Sequence, residues 1–420
     1  MTLKQLFQIE DFISINGCIN VHVEIKAEST IKEAFGETFT TDMDDVKVKG
    51  LYIIIFPEDD DDARDMRKGL EKIFGLYEID ANWYVYLAKT WNTLLPIETY
   101  TESLPDRNDY EIGINYRTMF PYQLSLLSDS YRKYKILKTT PMGNSYMKDF
   151  AINTIVGENL GKDQYTDLLM LSFSATDAIG LKYGPRSIEI EDTYIRLDKD
   201  IEFFLQFIEK ELGKQNVLIF LTSTNGTAEN PKHMIDTKQN AGQFKQAKAE
   251  QLLKTYLNAV YGANDWVSYY NKQVFYLNQT LIEDNKIALN EIQEKSVNFL
   301  VKLTGVTQVL SASALQNTNF SDGMPRKFWN NYNQKRSGDI FMCLEPGWIE
   351  QTTNETTSHN SPYSYDTHIP LIWYGWKTEH VSITRPISLT DIAPTLSSIL
   401  KIQKPSAGSG NPIGEIFNDN

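Results

Sequence analysis

The feature that most constrains this chain is a pair of apolar runs separated by one long amphipathic stretch. Asp167-Leu168-Leu169-Met170-Leu171-Ser172-Phe173-Ser174 and Asn216-Val217-Leu218-Ile219-Phe220-Leu221 both read as buried strands. Between them Ile188 to Leu212 carries helical apolar spacing through Ile195, Phe203, Leu205 and Ile208. Strand, helix and strand, with polar turns at the carboxyl ends of the strands, is the pattern of a parallel α/β sheet whose ligands bind at those ends. Chemistry is therefore expected near Ser174 to Asp177 and near Thr222 to Asn225.

The flanking segments read less evenly. Val21, Val23 and Ile25 alternate with polar residues at a strand period, and Gly50 to Pro57 reads as a second strand buried on both faces. The acidic run Glu58 to Asp62 reads as a solvated helix start, continuing through Met66, Leu70 and Phe74. Residues 81–150 are rich in aromatics and proline without clean periodicity, as expected of a cap or decorated connection. Residues 230–290 are polar, with Gln243 to Leu257 the best helix, and read as a second insertion. Val306 to Val309, Ile340 to Leu344 and Ile369 to Tyr374 read as strands. Thr390 or Asp391 is placed to cap a final helix.

Charge and composition remove whole classes of function. The net charge of −14, from 41 basic and 55 acidic side chains, argues against nucleic acid and anionic lipid as partners. No apolar run approaches the roughly 20 residues of a membrane-spanning helix. Two cysteines and five histidines exclude a disulfide framework and a multi-cysteine zinc site, so a metal centre must draw on carboxylates and those histidines. Met1 to Asn16 lacks an uninterrupted apolar segment, which places the chain in the cytoplasm as it stands.

Several of these stretches, taken together, resemble a known family. Ser172-Phe173-Ser174-Ala175-Thr176-Asp177, Gly184-Pro185-Arg186-Ser187 and Glu189-Ile190-Glu191-Asp192-Thr193-Tyr194 look like the alkaline phosphatase superfamily. The nearest branch is that of the phosphate-irrepressible bacterial alkaline phosphatases, beside the type I phosphodiesterases and nucleotide pyrophosphatases. The likeness continues through Trp91 to Glu98, Lys335 to Asp339, Tyr365 to Pro370 and Thr390 to Thr395, about four fifths of the chain from near Tyr77 onward. It implies a three-layer α/β core: a mostly parallel sheet, helices on both faces, and cap insertions near 81–150 and 230–290. That core would occupy residues 77–420, after a divergent α/β segment at 1–76. By the same likeness the protein would be periplasmic or secreted if its true amino terminus lies upstream.

The resemblance also implies two zinc ions and a threonine or serine nucleophile, and here the chain departs from the pattern. One zinc position takes an Asp, a His four residues later and the His of the Tyr-Asp-Thr-His motif. Asp177 and His368 are in place, but Leu181 stands at the intervening position. The other takes an Asp-His pair in a turn that reads Thr222-Ser223-Thr224-Asn225-Gly226 here, so Thr224 and Asn225 replace both ligands. Neutral side chains of this kind are poor zinc donors. No nucleophile motif is recognisable; Thr40 and Thr41, before Asp42, are the nearest residues.

The expected outcome is a pseudoenzyme that holds no cofactor and acts as a binding or scaffold protein toward a protein or a small anionic ligand. Asp177 and His368 are then expected as a buried hydrogen-bonded pair. The alternative keeps a metal-dependent phosphoester or sulfatase-like hydrolase with one zinc at Asp177 and His368, its third ligand recruited from Asp42, Asp44 or Asp45. A third reading, a gene remnant, predicts exposed apolar edges and poor solubility. His233, His359 and His380 are expected at the surface, and Lys335 and Arg336 in a solvated loop.

Overall fold

The computed structural model describes the backbone of residues 18–24, 29–30, 47–48 and 51–57, then residues 86–127 and 135–416 except 352 and 360. The acidic run 58–62, the helix expected after it, and Thr40, Thr41, Asp42, Asp44 and Asp45 lie outside the described residues.

The chain divides into two compact units. The first comprises Met1–Thr90, Gln123–Leu137 and Asp149–Leu160. Its strands β1 (Cys18–Glu24) and β2 (Leu51–Pro57) pair antiparallel, from Cys18 opposite Pro57 to Glu24 opposite Leu51. The second unit comprises Trp91–Tyr122, Lys138–Lys148 and Gly161–Asn420, and it holds every candidate site residue that the structure describes.

In the second unit, α1 (Ala175–Tyr183) stops at Gly184, whose φ of 91° is open to glycine and strained for other residues. Pro185 follows. The long α2 (Ile188–Glu211) begins where the Ser187 side chain accepts from the Ile190 amide, and it ends before Gly213 at φ 84°. Of the face expected from its spacing it buries Ile208, leaves Ile195 and Leu205 half-buried and exposes Phe203, while Ile188, Glu189, Ile190, Asp192 and Thr193 are buried in its first two turns. β3 (Leu218–Thr222) forms where the second apolar run predicts a strand.

The first apolar run behaves differently. Residues 166–173 form no strand, and Leu168 and Met170 are 74% and 80% exposed. A strand exists only where a neighbour offers its backbone, and the described partner of β3 is β10 (Leu371–Gly375), antiparallel, with Leu371 opposite Thr222. The expected parallel pairing of these two runs is thus not formed.

The largest apolar cluster lies elsewhere, partly within the stretch read as an insertion. There β5 (Val267–Asn271), β6 (Val274–Leu277), β7 (Val306–Ser311) and β8 (Ile340–Leu344) make an antiparallel sheet in the order β7-β8-β6-β5. Helices α3 (Gln246–Tyr261) and α4 (Leu289–Leu300) supply Leu253, Leu257, Ile292 and Leu300 to the same cluster, with Trp266, Phe275 and Ile340 fully buried beside them. One parallel pair is present among the described strands: β4 (Gly242–Phe244) with β9 (Trp348–Glu350).

Two buried carboxylates anchor these parts. Asp192 accepts from Trp91 Nε1 at 2.8 Å, the Leu94 amide at 2.7 Å, Tyr100 at 2.7 Å and Arg196 Nε at 2.6 Å, fixing the 91–100 segment on α2. Asp339 accepts from the Leu277 amide at 2.8 Å and from Gln279 and Gln293 at 3.1 Å. Burial still holds its carboxyl above the usual range. The final helix (Ile392–Ile399) is preceded by a 3₁₀ turn with a capping box, in which Ser388 accepts from the Thr390 amide and Asp391 from the Ser388 amide. Of the two expected residues Asp391 stands at the cap position of the helix and accepts from the Ser388 and Asn411 amides, whereas Ser388, not Thr390, caps the 3₁₀ turn before it.

Candidate active site

Three short segments bring the candidate positions together through backbone hydrogen bonds. The Thr356 amide donates to the Leu181 carbonyl at 2.7 Å, tying 356–359 to α1. The Ala228 amide donates to Ser358 O at 3.0 Å, and Thr357 Oγ1 to Ala228 O at 2.5 Å, tying the same segment to the turn after β3. The Gly226 amide donates to Asp366 O at 2.7 Å, tying that turn to the Tyr365–His368 motif. A β-carbon at Gly226 would lie 2.1 Å from Tyr365 O, so only glycine permits this approach.

Asp177 stands in the first turn of α1 with its side chain 53% exposed, and the residue facing it is His359, whose Nε2 lies 3.7 Å from Asp177 Oδ1. His368 is also exposed. The buried Asp177–His368 pair expected from sequence is therefore not what forms; His359 takes the place opposite Asp177. His359 is itself three-quarters buried, and its Nδ1 makes no hydrogen bond. His233 is likewise largely buried, 3.8 Å from Glu229, so of the three histidines expected at the surface only His380 is exposed. Lys335 and Arg336 lie in an exposed loop.

In the turn after β3 the polar side chains are occupied with one another and with the turn's own backbone. Thr224 Oγ1 donates to Asn225 Oδ1 at 2.7 Å, and Asn225 Nδ2 donates to Gly226 O at 2.8 Å. Ser223 Oγ closes the turn on Asn225 O at 2.7 Å. Leu181 contributes only its carbonyl, which accepts from Thr356. Asp366 is 2% exposed; its Oδ2 accepts from the Ser361 amide at 2.6 Å, and its Oδ1 is unpartnered. Among the described residues no three His, Cys, Asp or Glu side chains converge to hold a metal ion.

Residues 90–368 match the family of type I phosphodiesterases and nucleotide pyrophosphatases, and this span contains all of the segments just described. The chain belongs to this family. Among its relatives are the alkaline phosphatase PafA of Elizabethkingia meningoseptica, 35% identical over 79% of this chain and 61% of that protein, and the alkaline phosphatase PhoV of Synechococcus elongatus, 34% identical over 79% and 60%. The crystal structure of wild-type PafA superposes with a TM-score of 0.74 at 35% identity, covering 79% of this chain and 64% of the other. The three-layer α/β core of the alkaline phosphatases is thereby shown. The chain spans about three fifths of the length of these relatives. No helix among the described residues is long and apolar enough to cross a membrane.

Two histidines thus enter the site region where one was expected. His359 has no motif around it in the run Thr356-Thr357-Ser358-His359, and only the Thr356–Leu181 contact brings it to Asp177.

Proposed function

We propose that this member of the phosphodiesterase and alkaline phosphatase group does not hydrolyse phosphate esters and acts instead by binding, toward a protein or a small anionic ligand. The observation that carries the reading is the Thr224–Asn225–Gly226 turn. Its side chains bond to one another at the place where the resembling enzymes present an Asp-His pair. With Leu181 one helical turn beyond Asp177, the donors left at the matched positions are one carboxylate and one imidazole, Asp177 and His368. A two-zinc centre needs separate sets of acidic and imidazole ligands for each ion, and this donor set does not fit one. The test is elemental analysis of the purified chain after zinc loading and dialysis, together with hydrolysis assays on a phosphomonoester and a phosphodiester. Stoichiometric zinc with turnover lost in Asp177→Ala would overturn the proposal.

A second reading has one specific observation in its favour, the approach of His359 to Asp177. An aspartate and two histidines would suit a single metal ion with open positions for water and a phosphate ester. About one retained zinc per chain, lost in His359→Gln as well as in Asp177→Ala, is the result that selects this reading.

A further inference from the structure

A second polar cluster lies on the other side of Tyr183. Glu189 is fully buried on α2, and its Oε1 accepts from the Tyr122 hydroxyl at 2.5 Å while its Oε2 has no partner. Glu111, in the loop that precedes the cis Phe120-Pro121 bond, accepts from Asn108 Nδ2 at 2.6 Å through Oε1, and its buried Oε2 also has no partner. Tyr183 is 1% exposed, and its buried hydroxyl has no hydrogen-bond partner. Tyr183 and Glu111 line one small cleft with room for about a single water molecule, which Asn108, Ser187 and Asn230 help to close.

No described Lys or Arg pairs with either carboxylate. The one arginine on the cleft, Arg186, is engaged by Glu229. Asp106 adds negative charge near both carboxylates and Asp192 near Glu189. Burial, then mutual repulsion, hold the Glu111 carboxyl above its ordinary range, and burial holds that of Glu189 there too. Two buried carboxylates without a counter-charge are costly, and they are met in folded proteins with a cation or with protons.

We propose that Glu111, Glu189 and the Tyr183 hydroxyl form a binding site for one hard divalent cation of the calcium class, reached from the cleft beside Asn108. All the atoms offered are oxygens, which suits a hard ion and not zinc. Carboxylates from two separate segments with a neutral phenol between them are a mixed set that Ca²⁺ accepts, water from the cleft filling its remaining positions. The ion would tie the Asn108–Ile114 loop to α2. It lies apart from Asp177 and His359, and it holds whether or not that site turns over an ester.

Terbium is the probe, because Trp91 lies 5.1 Å from the Tyr122 ring and 6.1 Å from the Tyr183 ring and can sensitise a bound ion. The chain, stripped with chelator and dialysed, is titrated with Tb³⁺ at neutral pH under excitation of the aromatics. Saturable emission displaced by excess Ca²⁺ is expected. The apparent affinity should weaken by about tenfold or more in Glu111→Gln and in Glu189→Gln, and remain unchanged in Asp284→Asn, an exposed carboxylate elsewhere. Equal emission from wild type and both glutamine variants would sink the site. Should the variants not fold, the wild type decides alone: Ca²⁺ must raise its unfolding temperature at neutral pH and lose that effect in acid. No effect at neutral pH means that protons alone neutralise the pair.

Discussion

His359 Nε2 stands 3.7 Å from Asp177 Oδ1, although 182 positions separate the two residues (359 minus 177). The link is made by backbone, through Thr356 on Leu181, and not by any attraction visible in the side chains alone. Because Asp177 is half exposed, the pair should contribute little: a double-mutant cycle of Asp177→Asn and His359→Gln in urea is expected to give a coupling of about 0.2–1 kcal/mol. The coupling should weaken as salt is added. A coupling that does not change with salt would mean the two groups do not interact as ions.

Asp192 is the reverse case, a fully buried carboxylate with four donors. Asp192→Ala leaves the Trp91 indole, the Tyr100 hydroxyl and Arg196 without their acceptor and should destabilise the chain by about 3–5 kcal/mol. Tyr100 offers an independent readout. Burial and the neighbouring carboxylate push its phenol up to about 12, so in any folded Asp192→Asn variant the ultraviolet titration of that tyrosine should move back down.

These two contacts show what the sequence does and does not reveal. Asp192 and Asp339 lie inside stretches that resemble the family, and the structure shows them as anchors for buried amides, an indole and a phenol. The resemblance thus rests on residues that hold the fold, and it does not depend on the side chains at Leu181, Thr224 and Asn225. Helix α2 and strands β3, β7, β8 and β10 were legible because burial imposes a period on the side chains. Strand direction was not, since an apolar run is equally suited to parallel and antiparallel neighbours, and β3 pairs antiparallel with β10. The run 167–174 has the composition of a buried strand without a described neighbour to pair with. His359 was illegible because its place depends on a backbone contact of a loop, which has no period.

The exposure of that run has a measurable consequence. Met170→Lys removes apolar surface that is already in water, so stability should change by no more than about 0.5 kcal/mol. Solubility at high concentration should rise. A loss of several kcal/mol would show that Met170 is covered in solution.

The Glu111–Glu189 pair predicts a pH dependence in ion-free buffer. Both carboxyls titrate higher in the folded chain than in the unfolded chain, Glu189 being pushed up to about 8. The folded chain therefore holds more protons than the unfolded one between the ordinary carboxylate range of about 4–4.5 and the folded values, and stability falls as pH rises through that window. Below it both states are protonated and the penalty vanishes. Unfolding temperatures measured across this range should decline in wild type and flatten in Glu111→Gln. A flat wild-type profile would mean the pair is solvated.

The turn at Thr224–Asn225 yields the sharpest test of how the site stands relative to its relatives. Leu181 lies four residues after Asp177 on α1, so the two side chains share a face. The Gly226–Asp366 bond holds the 224–225 turn beside the segment that carries His368. If only side-chain chemistry separates this chain from a metal centre, the triple variant Leu181→His, Thr224→Asp, Asn225→His should convert it. Zinc retained after dialysis is expected to rise from well below stoichiometric to about one or two ions per chain, since imidazole and carboxylate replace a hydrocarbon, a hydroxyl and an amide. Adding Gly226→Ala should abolish the gain, because its β-carbon would force Tyr365 and the adjoining motif away from the turn. A folded triple variant that retains no zinc would show that these positions do not converge on one centre.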